Sequence, residues 1–322
     1  MTMIENKLLF PELQAEIKTF KPVNVASVPQ RSPFRYPGGK TWFVPTLRCW
    51  INHLHYKPNI IVEPFAGGGI ISLTALFEEF VSKAVMVELD DEIAAVWQTI
   101  VAGYSNWMAN RIVNFDLTKE SVIKEISKKP LNYRDKAFQT ILKNRTLHGG
   151  IIANGSGFIK HGENGKGIHS RWYPTTLAKR FHNLKHVADR IDFRCEDGLK
   201  IMREFMANKD AIFFIDPPYT AGGKKAGKRL YRYSEINHEE LFSICESLKS
   251  DFLMTYDNAE EVKALARKHN FQMRLIPMKN THHATMEELV IGKDLSWMNN
   301  SVNMHASANT LFGVNQPANH VG

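Results

Sequence analysis

The sequence predicts an α/β fold built on a mainly parallel sheet, and three observations carry that expectation. Short apolar runs rich in branched residues recur at 60–62, 84–87, 191–193, 211–215, 252–254 and 288–291. Helix-patterned segments lie between several of them, at 73–80, 238–249 and 259–269, and strands alternating with helices favour parallel pairing. The run 211–215, Ala-Ile-Phe-Phe-Ile, has no polar face, as a strand covered on both sides requires.

The middle of the chain breaks this rhythm. From about residue 102 to 190 it reads as helices followed by the glycine-rich stretch "LHGGIIANGSGFIKHGENGKGIHSRWYP". Asn164-Gly165 is a two-residue hairpin signal, and short strands are expected on either side, at 157–161 and 167–172. The segment is read as an insertion between two halves of the sheet. After about residue 294 the sequence turns polar, rich in Asn and Ser, and is expected to be disordered or loosely attached. No internal repeat is visible.

A chain of 322 residues, 43% of them hydrophobic, can bury a large core in one domain or two. The formal charge of +8 favours a polyanionic partner such as nucleic acid. Three cysteines, Cys49, Cys195 and Cys245, stand far apart and form no C-x-x-C pair, so neither a disulfide framework nor a cysteine zinc site is expected. His282-His283 and the pair His161/His169 lack carboxylate or cysteine partners at ligand spacing, so no metal is expected. No apolar run approaches the ~20 residues of a membrane span, and the N-terminus lacks the layout of a signal peptide. The expectation is a soluble, cytoplasmic protein.

Two constellations carry chemistry. In "IIVEPFAGGGIISLTALFEEF" an apolar strand runs into Gly67-Gly68-Gly69 and then a helix, a turn that lets backbone approach a ligand at a helix N-terminus. A second strand ends in Glu88, about twenty residues on, where an acid can accept from a ribose diol. This layout serves both nicotinamide dinucleotides and S-adenosylmethionine, or it is a structural turn without a ligand. The strict G-x-G-x-x-G fingerprint fails, because Ser72 stands at its last position. Upstream, "SPFRYPGGKTW" ends like a phosphate-binding loop, but Phe34 occupies the place of the first Walker glycine and no buried strand leads in.

The second constellation is Asp216-Pro217-Pro218-Tyr219, delivered by the run 211–215 to a strand's C-terminal end. The prolines stiffen the exit. A carboxylate, a main-chain carbonyl and an aromatic ring are thereby held together, a pocket suited to a planar ring bearing an amino group. Its N–H groups would go to Asp216 and the Pro217 carbonyl, and its face would stack on Tyr219, worth about 1–3 kcal/mol.

With "VEPFAGGG" and "FRYPGGK" upstream in the same order, the tetrapeptide makes the chain resemble the Dam-type (D12 class) DNA adenine-N6 methyltransferases over roughly residues 33 to 293. The resemblance implies a Rossmann-like S-adenosylmethionine-dependent methyltransferase sheet with an inserted, mostly helical DNA-recognition domain carrying a β-hairpin. It implies an N-terminal extension over 1–32, catalytic-domain halves over 33–101 and 189–294, a target-recognition domain over 102–188 and a C-terminal tail over 295–322. It implies transfer of a methyl group from S-adenosylmethionine, with S-adenosylhomocysteine as product and no metal, to the N6 of an adenine flipped out of double-stranded DNA. Asp216, Pro217, Pro218 and Tyr219 would be catalytic. Cofactor contacts would come from Tyr36, Gly38, Gly39 and Lys40, from Glu63, Pro64, Phe65, Ala66, Gly67 and Gly69, and from Glu88, Asp197 and Asp216. Tyr36 departs from the tryptophan of Dam and Glu88 from its aspartate. Lys40 would face the methionine carboxylate, and Asp197 is equally read as a helix N-cap.

DNA contacts are expected from the basic, glycine-hinged loop after Tyr219, through Lys224, Lys225, Lys228, Arg229 and Tyr231, and from Lys143, Arg145, Lys160 and Arg171 of the insertion. The same loop also reads as a plain solvated one. A monomer is expected, with a restriction nuclease as a functional counterpart in some settings. The alternatives are an RNA or N4-cytosine methyltransferase and a catalytically silent DNA-binding protein of the same fold. A nicotinamide-dependent dehydrogenase explains neither the Asp-Pro-Pro-Tyr run nor the basic loop.

Overall fold

The computed structural model describes residues 23, 25–35, 38–150, 152, 157–218, 236–279 and 285–298. Its centre is a seven-stranded sheet of β1 (Ile60–Glu63), β2 (Lys83–Val87), β3 (Ile191–Arg194), β4 (Ala211–Ile215), β5 (Phe252–Asp257), β6 (Gln272–Lys279) and β7 (Thr285–Gly292). The spatial order is β3-β2-β1-β4-β5-β7-β6. The first five strands are parallel, and β7 runs antiparallel between β5 and β6.

The apolar runs become strands because period-two alternation sends successive side chains into two separate cores. Ile61, Ala84, Met86, Ile212, Phe214 and Leu253 face one cluster. Val62, Val85, Val87, Phe213, Ile215 and Met254 face the other. The first layer is closed by α1 (Val44–His53), α2 (Ile70–Phe77) and α3 (Asp91–Val101). The second is closed by α8 (Gly198–Phe205), α9 (His238–Ser247) and α10 (Glu260–Lys268).

Between α3 and β3 lie α4 (Ser105–Val113), α5 (Lys119–Ile126), α6 (Tyr133–Thr146) and α7 (Pro174–Leu184). These ends are marked chemically: Asn132 accepts from the Arg134 and Asp135 amides, and Thr118 and Ser121 form a reciprocal capping box. The inserted helices are not a detached body. α6 packs on α3, and Phe138, Ile141 and Leu142 join the same core as the sheet face.

The expected β-hairpin around Asn164-Gly165 is absent among the described residues. Both turn residues do take positive φ, 55° and 71°. Their flanks, however, are engaged elsewhere. Phe158 bridges Leu147, His148 N donates to Gly157 O at 2.8 Å, and Ile159 N donates to Thr146 O at 3.0 Å. On the far side Gly167–Arg171 coils into a 3-10 turn in which Ser170 Oγ donates to Gly167 O at 2.7 Å. A turn signal sets local φ, but strand pairing needs free edges on both sides.

Candidate active site

The chain proceeds from β1 outward to β2 and β3 and then returns to the other side of β1 to form β4. In open α/β sheets ligands bind at such a reversal, beyond the carboxyl ends of the strands. Glu63 ends β1 and Asp216 follows β4, so both motifs of the sequence border this one crevice.

The turn after β1 is built on glycine of necessity. Gly67 and Gly69 have φ of 46° and 62°. A Cβ on Gly69 would run into the Met86 side chain and come within 2.8 Å of Trp97. Trp97 Nε1 in turn donates to Gly67 O at 2.9 Å, and Ala66 N to Val87 O at 2.8 Å. The chain opposite approaches as closely: a Cβ on Gly198 would strike Pro64 O and lie 2.9 Å from the Phe65 ring. Asp197, beside it, is exposed and accepts from Lys200 N at 2.9 Å, which makes it the N-cap of α8 at the edge of this turn.

Glu88 closes the crevice from the end of β2. Its Oε2 accepts from Gly67 N at 3.0 Å and its Oε1 from Asp90 N at 2.9 Å. Each carboxylate oxygen has a second lone pair, so a diol can still be accommodated. Burial pushes Glu88 up to about 7 against the lowering effect of these amides. Glu63 is 3% exposed and accepts from Ser72 N at 3.0 Å. Burial pushes it up to about 8, with the bonds from Ser72 opposing and the charge of Asp216 adding to the rise.

That shift has a stability consequence. A carboxyl group raised in the folded state contributes stability below its unfolded value of 4.5, and the contribution is lost as pH climbs through about 8. Glu63→Gln keeps an acceptor for Ser72 N and removes the charge. We expect it to match wild type at pH 4 to 5 and to exceed it by on the order of 1–3 kcal/mol near pH 8, read from denaturant melts across pH. Equal stability at both pH values would show that Glu63 ionises there without penalty.

Asp216 sits in a set of buried charges. Lys40 Nζ lies 2.8 Å from Asp216 Oδ1 and 3.0 Å from Glu288 Oε1, and it donates to Gly38 O at 3.2 Å. Thr255 Oγ1, on β5, donates to Asp216 Oδ1 at 2.9 Å. Lys40 opens a 3-10 turn, Lys40–Phe43, whose Trp42 and Phe43 are buried under α1. Burial by itself would lower the ammonium's pKa, but the Asp216 and Glu288 carboxylates outweigh it and push it up. The ammonium has three N–H donors, and among the described residues it meets Asp216, Glu288 and the Gly38 carbonyl. The sequence had placed Lys40 opposite a cofactor carboxylate; the structure places it beside the Asp-Pro-Pro motif. Pro217 is buried and Pro218 partly exposed, whereas Tyr36, Tyr219, Lys224, Lys225, Lys228, Arg229, Tyr231 and His282-His283 lie outside the described residues.

The segment leading to Lys40 is held by the insertion. Asn144 of α6 accepts from Arg35 N and donates to Arg35 O, both at 2.9 Å, and Arg145 Nη2 donates to Pro33 O at 2.6 Å. Arg180 Nη1 donates to Ser32 O at 3.2 Å. Arg145 is therefore not the surface cation expected of a DNA contact: at 5% exposure it ties α6 to the N-terminal motif. Lys143 pairs with Glu92 at 2.8 Å, whereas Lys160 is exposed and Arg171 partly so. The sequence pointed to neither Thr255, Asn144 nor Glu288. Only the last left a trace, as an acid entering an apolar strand.

Among the described residues no cluster of His, Cys, Asp and Glu could hold a metal, and no helix is long and apolar enough to cross a membrane. Solved structures with related backbones include rRNA methyltransferase aviRa from Streptomyces viridochromogenes, at 9% identity over 85% of this chain and 94% of that one, with a TM-score of 0.39. A SAM-dependent methyltransferase from Agrobacterium tumefaciens is 10% identical over 79% of this chain and 60% of that one, TM-score 0.37. Spermidine synthase from Thermotoga maritima is 11% identical over 79% of this chain and 58% of that one, TM-score 0.37. A search of curated proteins returned no match. The sequence profile of the D12 class N6 adenine-specific DNA methyltransferases matches residues 36–281, a span that holds the glycine turn, Glu88 and the Asp-Pro-Pro-Tyr run. On that match the chain belongs to the D12 class N6 adenine-specific DNA methyltransferases, enzymes that use S-adenosylmethionine.

Proposed function

We propose that the protein methylates the N6 amino group of adenine at specific sites in double-stranded DNA, on a base flipped from the duplex. The observation that carries this reading is Asp216, fixed by Lys40 and Thr255 and followed by two prolines, at the sheet's reversal point beside the Gly67–Gly69 turn. S-adenosylmethionine, when bound, supplies an electrophilic methyl group.

The residues of the chain do the rest. The turn from Glu63 through Pro64, Phe65, Ala66 and Gly67 to Gly69, with Gly38, Gly39, Glu88 and Asp197, forms the walls against which the cofactor is held. Asp216 and the Pro217 carbonyl accept the two N–H groups of the adenine amine. An amine conjugated with its ring is a poor nucleophile, and bonds that draw its hydrogens out of plane concentrate the lone pair toward the methyl donor. Alignment of two reactants is itself a large lever on rate. Transfer of the methyl group from sulfur to N6, with its bond to sulfur breaking, would leave positive charge on that nitrogen until its proton departs, and the carboxylate of Asp216 is placed to stabilise that charge.

Tritiated S-adenosylmethionine and duplex DNA, followed by digestion to nucleosides, test the reading. Label in N6-methyl-2′-deoxyadenosine is expected; label in a cytosine nucleoside, or only with RNA, would overturn the substrate assignment.

DNA is proposed to lie across the insertion and the 32–35 segment. Arg35 is exposed there, and its charge, with that of Arg171 and Arg180, reaches Arg145, whose pKa burial and these neighbours lower. Basic side chains gathered in this way are compensated by phosphates. Arg35→Ala is expected to weaken duplex binding and reduce the slope of log affinity against log salt by about one, at unchanged S-adenosylmethionine affinity. A salt slope equal to that of wild type would remove Arg35 from the interface.

A further inference from the structure

Lys143 and Asn144 are neighbours on α6, and they reach different walls of the candidate cofactor pocket. Asn144 accepts from Arg35 N and donates to Arg35 O, both at 2.9 Å, and so holds the segment that runs on to Gly38 and Gly39. Lys143 Nζ, on the same helical turn, lies 2.8 Å from Glu92 Oε1 in the first turn of α3. We propose that Lys143 is a positioning residue for the cofactor: by fixing the start of α3 from the insertion, it sets the wall that carries Glu88 against the wall that Asn144 holds. This rests on the cofactor placement proposed above.

Hydrogen bonds run without a gap from the Lys143 pair into that wall. Glu92 N donates to Asp90 Oδ1 at 2.9 Å, and Asp90 is the N-cap of α3. Asp90 N donates to Glu88 Oε1 at 2.9 Å, and Glu88 Oε2 accepts from Gly67 N at 3.0 Å. A shift at the start of α3 is therefore passed to the acid and to the glycine turn beside it. Hydrogen bonds weaken steeply once their geometry departs from alignment, so a ligand bonded to Glu88 registers such a shift.

A second ion pair joins the same two helices and supplies an internal comparison. Lys136 lies 2.8 Å from Asp91, with side chains 35% and 48% exposed, whereas Lys143 and Glu92 are 23% and 12% exposed. A pair that water reaches freely holds its partners weakly. The sheltered pair is the stiffer link. The sequence pointed to Lys143 as a DNA contact; its ammonium instead faces a carboxylate of the catalytic half.

The test uses the whole chain and S-adenosylhomocysteine, whose binding is followed by calorimetry without DNA. Lys143→Met keeps the bulk of the side chain and removes its charge, and it is expected to raise the Kd about fivefold. Lys143→Arg can still reach Glu92 and is expected to bind within about twofold of wild type. Lys136→Met, the same loss of charge from the same helix, is also expected to stay within about twofold. Duplex DNA binding by Lys143→Met, measured without cofactor, is expected to keep the wild-type slope of log affinity against log salt.

A lysine that served stability alone would leave the Kd of the folded protein where it was. The proposal is overturned if Lys143→Met binds S-adenosylhomocysteine as tightly as wild type, if Lys143→Arg binds as weakly as Lys143→Met, or if Lys136→Met loses as much. A salt slope reduced by about one would also overturn it, because Lys143 would then be a phosphate contact. Glu88→Gln separates this outcome from a failure of the cofactor placement. It turns one accepting oxygen into a donor and is expected to raise the Kd about tenfold. Unchanged binding by Glu88→Gln would overturn that placement, and the role of Lys143 with it; weakened binding by Glu88→Gln but not by Lys143→Met would overturn the role of Lys143 alone.

Discussion

Asp216→Ala should reduce methyl transfer to adenine by roughly 10²–10⁴-fold in single turnover, the range lost with a positioned acceptor or charge stabiliser. The carboxylate lies at the end of a fully buried strand, held by Thr255 and Lys40, and its own exposure of 21% shows that it borders open space. Truncation removes the acceptor for the amine and the charge that answers developing positive charge on N6. It should cost the fold little, because Lys40 keeps Glu288 and Gly38 O as partners. Asp216→Asn separates the two contributions. The amide still offers one acceptor oxygen but no charge, so its rate should fall between wild type and Asp216→Ala. Tritium incorporation at saturating S-adenosylmethionine measures both, and calorimetric cofactor binding should move by less than about threefold in either. Incorporation by Asp216→Ala within tenfold of wild type would take Asp216 out of the chemistry.

The parts of the fold legible in the sequence are those where one physical signal dominates. The run 211–215 suits a strand buried on both faces, and it is one. The glycines at 67 and 69 announced a turn with positive φ, and the contacts of Gly69 with Met86 and Trp97 show why no other residue fits. β6, Gln272–Lys279, gave no such signal: it is an edge strand whose run includes polar residues and Pro277, and among the described residues it pairs with β7 alone. The expected hairpin failed for the opposite reason, since its turn chemistry was right and its flanks were already bonded to 146–148.

Within the site, legibility follows distance along the chain. Asp216, Pro217 and Pro218 are contiguous and could be read together. The link of Lys40 to Asp216, Thr255 and Glu288 joins the N-terminal motif to β5 and β7, and only the sheet order brings these together. Arg145 shows the same limit. A basic residue on a helix reads as a surface charge, whereas here its guanidinium is bonded to a carbonyl inside the protein.

Lys40→Met is the second large effect, and it separates stability from chemistry. The substitution conserves volume but removes the cation between two carboxylates, of which Glu288 is 8% and Asp216 21% exposed at the side chain. Removing one partner from a buried charged set costs about 3–5 kcal/mol, because the groups left behind lose a charge that balanced them. The cost should depend on pH, and the sign follows from linkage. Lys40 is raised in the folded protein, so its contribution is complete below the unfolded lysine value of 10.5 and is lost only as pH rises through the higher folded value. In the variant, two carboxylates left facing each other favour uptake of a proton, which is cheap at pH 5 and costly at pH 8. The gap between wild type and Lys40→Met should therefore widen from pH 5 to pH 8 in denaturant melts. Activity at pH 8 should fall at least about a hundredfold, since the acceptor is no longer held in place. Were Lys40 instead only a ligand for the cofactor carboxylate, Lys40→Met would raise the Kd for S-adenosylmethionine and leave the stability of the cofactor-free protein unchanged at every pH, and that result would dismantle the charge arrangement argued for this site.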